Sequence, residues 1–159
     1  MKLWILGWMI LVSGTSLQAG ELNVAFEEWK SFMEASAKKL NIELVMKFEP
    51  EKKVLVVGQE FKLNELRKQT LLQMVPVPQL QAEVELEGVS KLKEPWLKLR
   101  CLEGRPRVNI EKRTYIEGAQ VEEVAQEVAK AFLVIPCHRQ DLKRGKELAE
   151  RFLSLAGAK

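Results

Sequence analysis

Three stretches of the chain alternate apolar with mostly charged residues at a period of two, and this pattern limits the possible folds most strongly. The stretches span 42–48, 82–87 and 97–101. Successive side chains of a strand point to opposite faces of a sheet, so each stretch puts its apolar residues on one face. Such half-apolar strands indicate an antiparallel sheet that is covered on one side by helices.

Residues 21–40 place apolar side chains at gaps of three and four, which predicts an amphipathic helix. The same spacing predicts helices over "KLNELRKQTLLQM" (62–74), over 119–134 and over 142–157, with Asp141 as the N-cap of the last. The segment "VPVP" (75–78) ends the second of these helices, because proline lacks a backbone N–H.

The strands between these helices predict a hairpin and a three-stranded meander. Residues 42–48 pair with 54–57 in the hairpin, while 82–87, 97–101 and 108–116 form the meander. Pairing Cys101 with Val108 puts Lys98 opposite Glu111, so opposite charges face each other on the solvent side. The predicted fold is α+β, a hairpin plus a meander covered by helices, in the order α-β-β-α-β-β-β-α-α.

The first 19 residues have the layout of a secretory signal peptide. Lys2 precedes an apolar run from Leu3 to Val12, and Leu17 and Ala19 stand at positions −3 and −1 before Gly20. The run is shorter than the roughly 20 residues of a membrane span. Cleavage after Ala19 would leave one exported domain, 20–159, with no membrane span, and we expect it in a bacterial periplasm. An uncleaved N-terminal anchor is the alternative.

The charge balance argues against nucleic acid as a partner. The chain has 25 Lys and Arg residues against 22 Asp and Glu residues, a formal charge of +3, and removing 1–19 takes away only Lys2. Nucleic-acid binding needs a clear basic excess, and this balance supplies none.

Cys101 and Cys137 are the only cysteines, and Cys137 adjoins His138, the only histidine. A helix over 119–134 would carry the chain back along the sheet to the turn that holds Cys101. In an oxidising compartment, two cysteines that meet should form a disulfide. Two alternatives stay open: Cys137 as a nucleophile with His138, or Cys101, Cys137 and His138 as metal ligands together with a carboxylate.

No catalytic residue, metal site or cofactor site is predicted. The chain has 21 glutamates and one aspartate, so any pair of carboxylates chosen from the sequence would be arbitrary. His138 and Asp141 lie three residues apart without a nucleophile signature beside them, and no glycine-rich loop could cradle a phosphate.

Basic residues concentrate between positions 91 and 113, and this region is the predicted binding face. Its candidate contact residues are Trp96, Lys98, Arg100 and Arg113. Such a face suits lipid headgroups, an anionic envelope polymer or an acidic protein. The alternative is a solvated sheet face on which these cations pair with glutamates of neighbouring strands.

Residues 26–74 resemble the short periplasmic N-terminal domain shared by secretins and TonB-dependent receptors. The resemblance rests on "EEWKSFMEASAKKL", "NIELVMKFEPEKKVLVV" and "FKLNELRKQTLLQM", with Asn41 where that family usually has glycine. It implies an assembly and interaction module without catalysis. The predicted function is therefore an exported cell-envelope binding or assembly module, and a periplasmic hydrolase that uses glutamate carboxylates is the alternative.

Overall fold

The computed structural model of the chain describes residues 9–62, 64–85, 96–101, 107–129 and 132–157. Within these ranges, one long helix opens the fold, eight strands follow and a second helix closes it. The elements are α1 (Met9–Lys38), β1 (Glu43–Glu49), β2 (Val54–Lys62), β3 (Arg67–Pro76), β4 (Leu80–Glu85), β5 (Trp96–Cys101), β6 (Arg107–Ile116), β7 (Ala119–Ala129), β8 (Phe132–Pro136) and α2 (Leu142–Leu155).

The strands form two antiparallel sheets, one of five strands in the order β1-β2-β3-β6-β7 and one of three in the order β4-β5-β8. Only three residues separate β3 from β4, five separate β5 from β6, and two separate β7 from β8. At each of these three connections the chain passes from one sheet to the other. Pro76 and Pro78 lie at the first crossing. Because proline has no backbone N–H, neither can donate a hydrogen bond to a neighbouring strand there.

Both helices pack on the inner faces of the sheets, α1 on β1 and α2 on β4 and β5, and they also contact each other. At their junction four rings form a cluster, in which Trp29 stacks on Phe152 at 5.4 Å and both are fully buried. Phe26 and Phe48 complete the cluster. The spacing of buried residues along α2 is the three-and-four period of an amphipathic helix, with Leu142, Gly145, Leu148, Ala149, Phe152 and Leu153 inside.

Several predictions about the fold are confirmed. The structure is α+β with antiparallel sheets, and the first hairpin and the last helix lie where the sequence placed them. The first helix is present too, but α1 already includes Met9, twelve residues before the predicted start at Glu21, and so contains 9–19 of the predicted signal peptide. Asn41, at a φ of 58°, turns the chain from α1 into β1. Asp141 occupies the N-cap position of α2, but its side chain makes no cap hydrogen bond. The carboxylate binds Lys39, the first residue after α1, instead.

The predicted helix over 62–74 is wrong, because this stretch contains most of β3. The Asn64 side chain accepts hydrogen bonds from the backbone N–H groups of Leu66 and Arg67, at 3.0 and 2.7 Å. This turn reverses the chain after β2. β3 pairs along its length with β2 and β6. Its apolar residues lie on both faces, Leu71 and Val75 on the inner face and Leu72 and Met74 on the outer face, and this succession mimics a helical spacing.

The predicted helix over 119–134 is also wrong, since it divides into β7 and β8. Glu117 and Gly118 both have positive φ, 50° and 81°, and they connect Ile116 to Ala119 as a two-residue hairpin loop. Two positive φ values match the twist of antiparallel strands, so β7 pairs with β6 rather than coiling into a helix. The observed order of α-helices and strands is α-β-β-β-β-β-β-β-β-α, in place of the predicted α-β-β-α-β-β-β-α-α.

The predicted pairing inside the meander is wrong as well. β5 lies between β4 and β8 in the three-stranded sheet, whereas β6 lies between β3 and β7 in the five-stranded sheet. Lys98 is therefore opposite Glu83 and Val134 rather than Glu111. The part of the first predicted meander strand beyond Glu85 lies outside the described residues.

Candidate functional site

The predicted disulfide is absent. Cys101 and Cys137 are both free thiols, and both are buried. Cys101 ends β5, whereas Pro136 pairs with Trp96 at the start of β5, so Cys137 follows at the far end of that strand. Five residues of strand separate the two levels by about 17 Å. A disulfide requires Cα atoms within about 7 Å. The prediction failed because the extended β7 and β8 carry Cys137 past Cys101, which a helix would not have done.

The surroundings of Cys137 are those of a packed structural residue. The Ser36 hydroxyl donates to its Sγ at 3.6 Å, and the backbone N–H of His138 donates to the Ser36 Oγ at 2.8 Å. Burial raises the pKa of the Cys137 thiol, which keeps it protonated and a poor nucleophile. The His138 imidazole accepts at Nδ1 from the backbone of Gln140. This cluster joins α1 to the segment between β8 and α2.

Asp141 completes this junction through an ion pair. Its carboxylate lies 2.7 Å from the Lys39 ammonium. Burial opposes ionisation of Asp141, but hydrogen bonds from Lys39 and Ser36, together with the charges of Lys39 and His138, lower the pKa of the carboxyl on balance. The pair links the end of α1 to the start of α2, so the sole aspartate has a structural role here.

The outer face of the five-stranded sheet, turned away from α1, carries an apolar stripe on β1, β2 and β3. We call this stripe the outer patch: Val45, Val54, Val56, Leu72, Met74 and Pro76. Val45 is 57% exposed and the other members are half-buried. The run "VLVV" at the start of β2 puts valine on both faces of the sheet, which is typical of strands covered on both sides.

A depression of about 300 Å³ lies at the edge of the outer patch, and Gly58 forms its floor. A Cβ atom at Gly58 would lie 3.4 Å from Leu72 Cδ1 and 3.8 Å from Val45 Cβ, so a longer side chain would fill the space between them. The lining residues are Glu43, Val45, Gly58, Gln59, Glu60, Thr70, Leu71, Leu72, Glu111 and Arg113.

Charged groups around the depression are held by ion pairs. Glu60, directly opposite Glu43 on β1, binds Lys68. Arg113 lies between Glu123 at 3.0 Å and Glu111 at 3.6 Å. The hydrogen bond to Glu123 raises the pKa of the Arg113 guanidinium. The rim is therefore polar, with its glutamates outnumbering its cations.

The structure separates the four residues of the predicted basic face. Trp96, Lys98 and Arg100 alternate along β5 and share one face of the three-stranded sheet. The Lys98 ammonium lies 4.3 Å from the centre of the Phe132 ring, a cation–π contact. Arg113 lies on the other sheet in its ion pairs, so it does not share a face with Trp96, Lys98 and Arg100 as the prediction of one basic face required.

Neither helix, within the described ranges, has the length and apolar content to span a membrane. In the same ranges no three His, Cys, Asp or Glu side chains converge where they could hold a metal ion. The outer patch was missed from the sequence, although the near-continuous apolar runs at 54–57 and 71–75 could have indicated it.

Comparison of the chain with protein-family models, with curated proteins and with solved structures finds no match. Inference about function therefore starts from the chemistry of the outer patch and its rim.

Proposed function

We propose that this chain is a cell-envelope binding or assembly module without catalytic activity, and that its outer patch binds a protein partner. The observation that carries the proposal is β2: its valines occupy both faces of the sheet, and among the elements that the structure describes a helix covers only the inner face. Val45 and Leu72 extend the uncovered apolar surface over the neighbouring strands.

The chemistry of the outer patch fits a protein better than an anionic polymer. Protein interfaces have an apolar centre and a polar rim, and burying apolar surface contributes about 25 cal/mol per Å². The depression beside the patch has Glu43, Glu60 and Glu111 around it, which would repel phosphate or uronate groups. Arg113, the one residue of the predicted basic face that lies here, is already held by two glutamates.

Export to the envelope remains part of the proposal. Among the residues of α1 whose burial is described, 18–38, the first fully buried one is Ala25, and Leu22 packs partly against the core. Cleavage after Ala19 would therefore leave every buried position of α1 among the described residues in place. The resemblance of 26–74 to an assembly domain of secretins and TonB-dependent receptors supports the same kind of function, although the third element of that pattern folds as β3.

A periplasmic hydrolase is the second candidate, and one observation favours it. Glu43 and Glu60 occupy directly opposed positions on β1 and β2 beside the depression. Paired carboxylates can divide the roles of acid and base. The ion pair of Glu60 with Lys68 ties one of the two to its neighbour strand, which weakens this candidate.

Photocrosslinking in the native cell envelope tests the proposal. A photoreactive amino acid replaces Val45 in one variant and Val24, an equally exposed valine on α1 (61%), in the control. We expect a discrete crosslinked partner from position 45 only. The substitution Val45→Lys should reduce recovery of that partner at least tenfold, while Val24→Lys should not change it.

Two results would contradict the proposal. Identical adducts from positions 45 and 24 would show that the outer patch has no specific partner. A hydrolytic activity of the purified chain that Glu60→Gln abolishes would establish the enzyme instead.

A further inference from the structure

β7 is the outermost strand of the five-stranded sheet, and it is exposed along almost its whole length. Ten of its eleven residues are exposed, and only Val128 is half-buried. Its order in the sheet gives it one described neighbour, β6, on one side. Val128, near the end of the strand, packs against the core, whereas the valines Val121 and Val124 are exposed.

The backbone of β7 is regular where a new strand would need it. The pairing with β6 shifts register between Thr114 and Tyr115, which leaves Val121 as the extra residue of a bulge. From Glu122 to Ala129 the pairing runs without interruption. Every second residue of a paired strand directs its N–H and C=O away from the neighbour, so this stretch presents about four donors and four acceptors at the edge.

The charges of β7 are all of one sign. Glu122, Glu123 and Glu127 are its ionisable residues, and the strand contains no lysine, arginine or histidine. Glu123 and Glu127 share the outer face of the sheet, whereas Glu122 points to the inner face, where it accepts a hydrogen bond from Thr114 at 3.1 Å. Both faces beside the edge therefore carry a carboxylate.

This charge pattern discriminates between possible occupants. Two copies of β7 paired edge to edge would bring six glutamates into two adjacent strands, and like charges on neighbouring strands repel. A strand with lysine or arginine would instead place a cation near each carboxylate. Small aliphatic residues between the cations would pack beside Val124.

We propose that the edge of β7 over 122–129 binds an extended, basic segment of a partner protein as a sixth strand. Main-chain hydrogen bonds supply affinity, and Glu122 and Glu127 select cationic side chains, since Glu123 is already paired with Arg113. This surface is separate from the outer patch, so the inference does not depend on the proposed function.

β1 forms the opposite edge of the same sheet and serves as an internal control. It is shorter, seven residues, and mixed in charge, with Lys47 between Glu43 and Glu49. A basic strand meets a cation in the middle of β1 but none along β7.

The test uses the full chain and a nine-residue acetylated peptide in which lysine and valine alternate. We expect this peptide to bind and to slow amide hydrogen exchange along β7 but not along β1. A peptide that alternates glutamate and valine, and a lysine–valine peptide with every backbone amide N-methylated, should both fail to bind. The methylated peptide keeps the charge and loses the donors, so it separates strand addition from simple ionic attraction.

A pair of charge-matched variants locates the site. Glu122→Gln with Glu127→Gln should weaken binding by about twofold to thirtyfold, the range for two cross-strand ion pairs. Glu43→Gln with Glu49→Gln removes the same charge from the β1 edge and should change binding less than twofold. Val45→Lys on the outer patch should leave the peptide affinity unchanged, whatever becomes of the partner of that patch.

Three results would overturn the inference. The N-methylated peptide could bind as well as the parent, the two double variants could lose affinity equally, or none of the peptides could bind at millimolar concentration. A dimer in sedimentation experiments whose formation protects β7 from exchange would identify a second copy as the occupant and would equally overturn the basic segment.

Discussion

The two ends of the five-stranded sheet use the same antiparallel pairing for different purposes. At the β1–β2 end, Leu44, Met46, Leu55 and Val57 form a buried layer under α1, and further valines line the outer face. At the β7 end, only Val128 packs against the core, and main-chain pairing and ion pairs such as Arg113–Glu123 hold the rest of the strand. One sheet thus combines a buried core layer at one end with an exposed edge strand at the other.

The largest expected effect tests the core end. Phe152 lies at 5.0 to 5.4 Å from three other rings and is fully buried, so Phe152→Ala removes packing from α1, α2 and β1 together. We expect a loss of about 3–5 kcal/mol in the free energy of unfolding, measured by urea denaturation. Val124→Ala on β7 should cost less than about 0.5 kcal/mol. Similar losses from the two variants would break the comparison.

An intermediate effect tests the hairpin that presents β7. Gly118 has a φ of +81° with nothing within 4 Å of an added Cβ, so an alanine there meets backbone strain but no clash. We expect Gly118→Ala to cost about 1–2 kcal/mol. The cost should appear as faster amide exchange in β6 and β7, with exchange in β1 and β2 unchanged. Equal acceleration throughout the sheet would show that its two ends do not behave independently.

The smallest expected effect concerns the ion pair between Asp141 and Lys39, and it depends on pH. Lys39 holds the pKa of Asp141 below its usual value, so the folded state binds a proton less readily than the unfolded state. The stabilisation is therefore present above the ordinary aspartate pKa of about 3.9, and it is lost as the pH falls through the lower folded value. Asp141→Asn should cost about 0.5 kcal/mol at pH 7.

The control for Asp141→Asn is the pH itself. The difference in unfolding free energy between wild type and variant should shrink as the pH is lowered from 5 to 2. A difference that stays constant across this range would mean that the amide changes packing rather than charge. Amide exchange in β7 should be the same in both proteins at every pH.

The sequence predicted those elements whose partners are close in the chain. The hairpin of β1 and β2 and the amphipathic α2 depend on local alternation, local spacing and short turns. β3 was mistaken for a helix because both of its faces carry apolar side chains. Its pairing with β2 and β6 makes it a strand, and local spacing in the sequence does not reveal that pairing. β7 is rich in alanine, glutamate and glutamine, which favour a helix, and pairing with β6 overrides that propensity.

The errors in the predicted elements also caused the errors in the predicted sites. A helix rises 1.5 Å per residue and a strand about 3.3 Å, so mistaking β7 for a helix also misplaced Cys137 and produced the disulfide prediction. The pairing of β5 with β8 joins segments that are far apart in sequence, and local patterns do not specify it. The two-residue loop at Glu117 and Gly118 was the signal that could have corrected both errors.

Amide hydrogen exchange of the free, full-length chain, read residue by residue, tests the central claim most directly. The account predicts slow exchange throughout β2 and β3, whose amides have partners on both sides. Along 122–129 it predicts alternation, with amides bonded to β6 protected and the intervening amides exchanging at nearly the rate of an open chain. Uniform protection along β7 would mean that its edge is already covered, and a helical pattern of protection over 119–134 would contradict the strand itself.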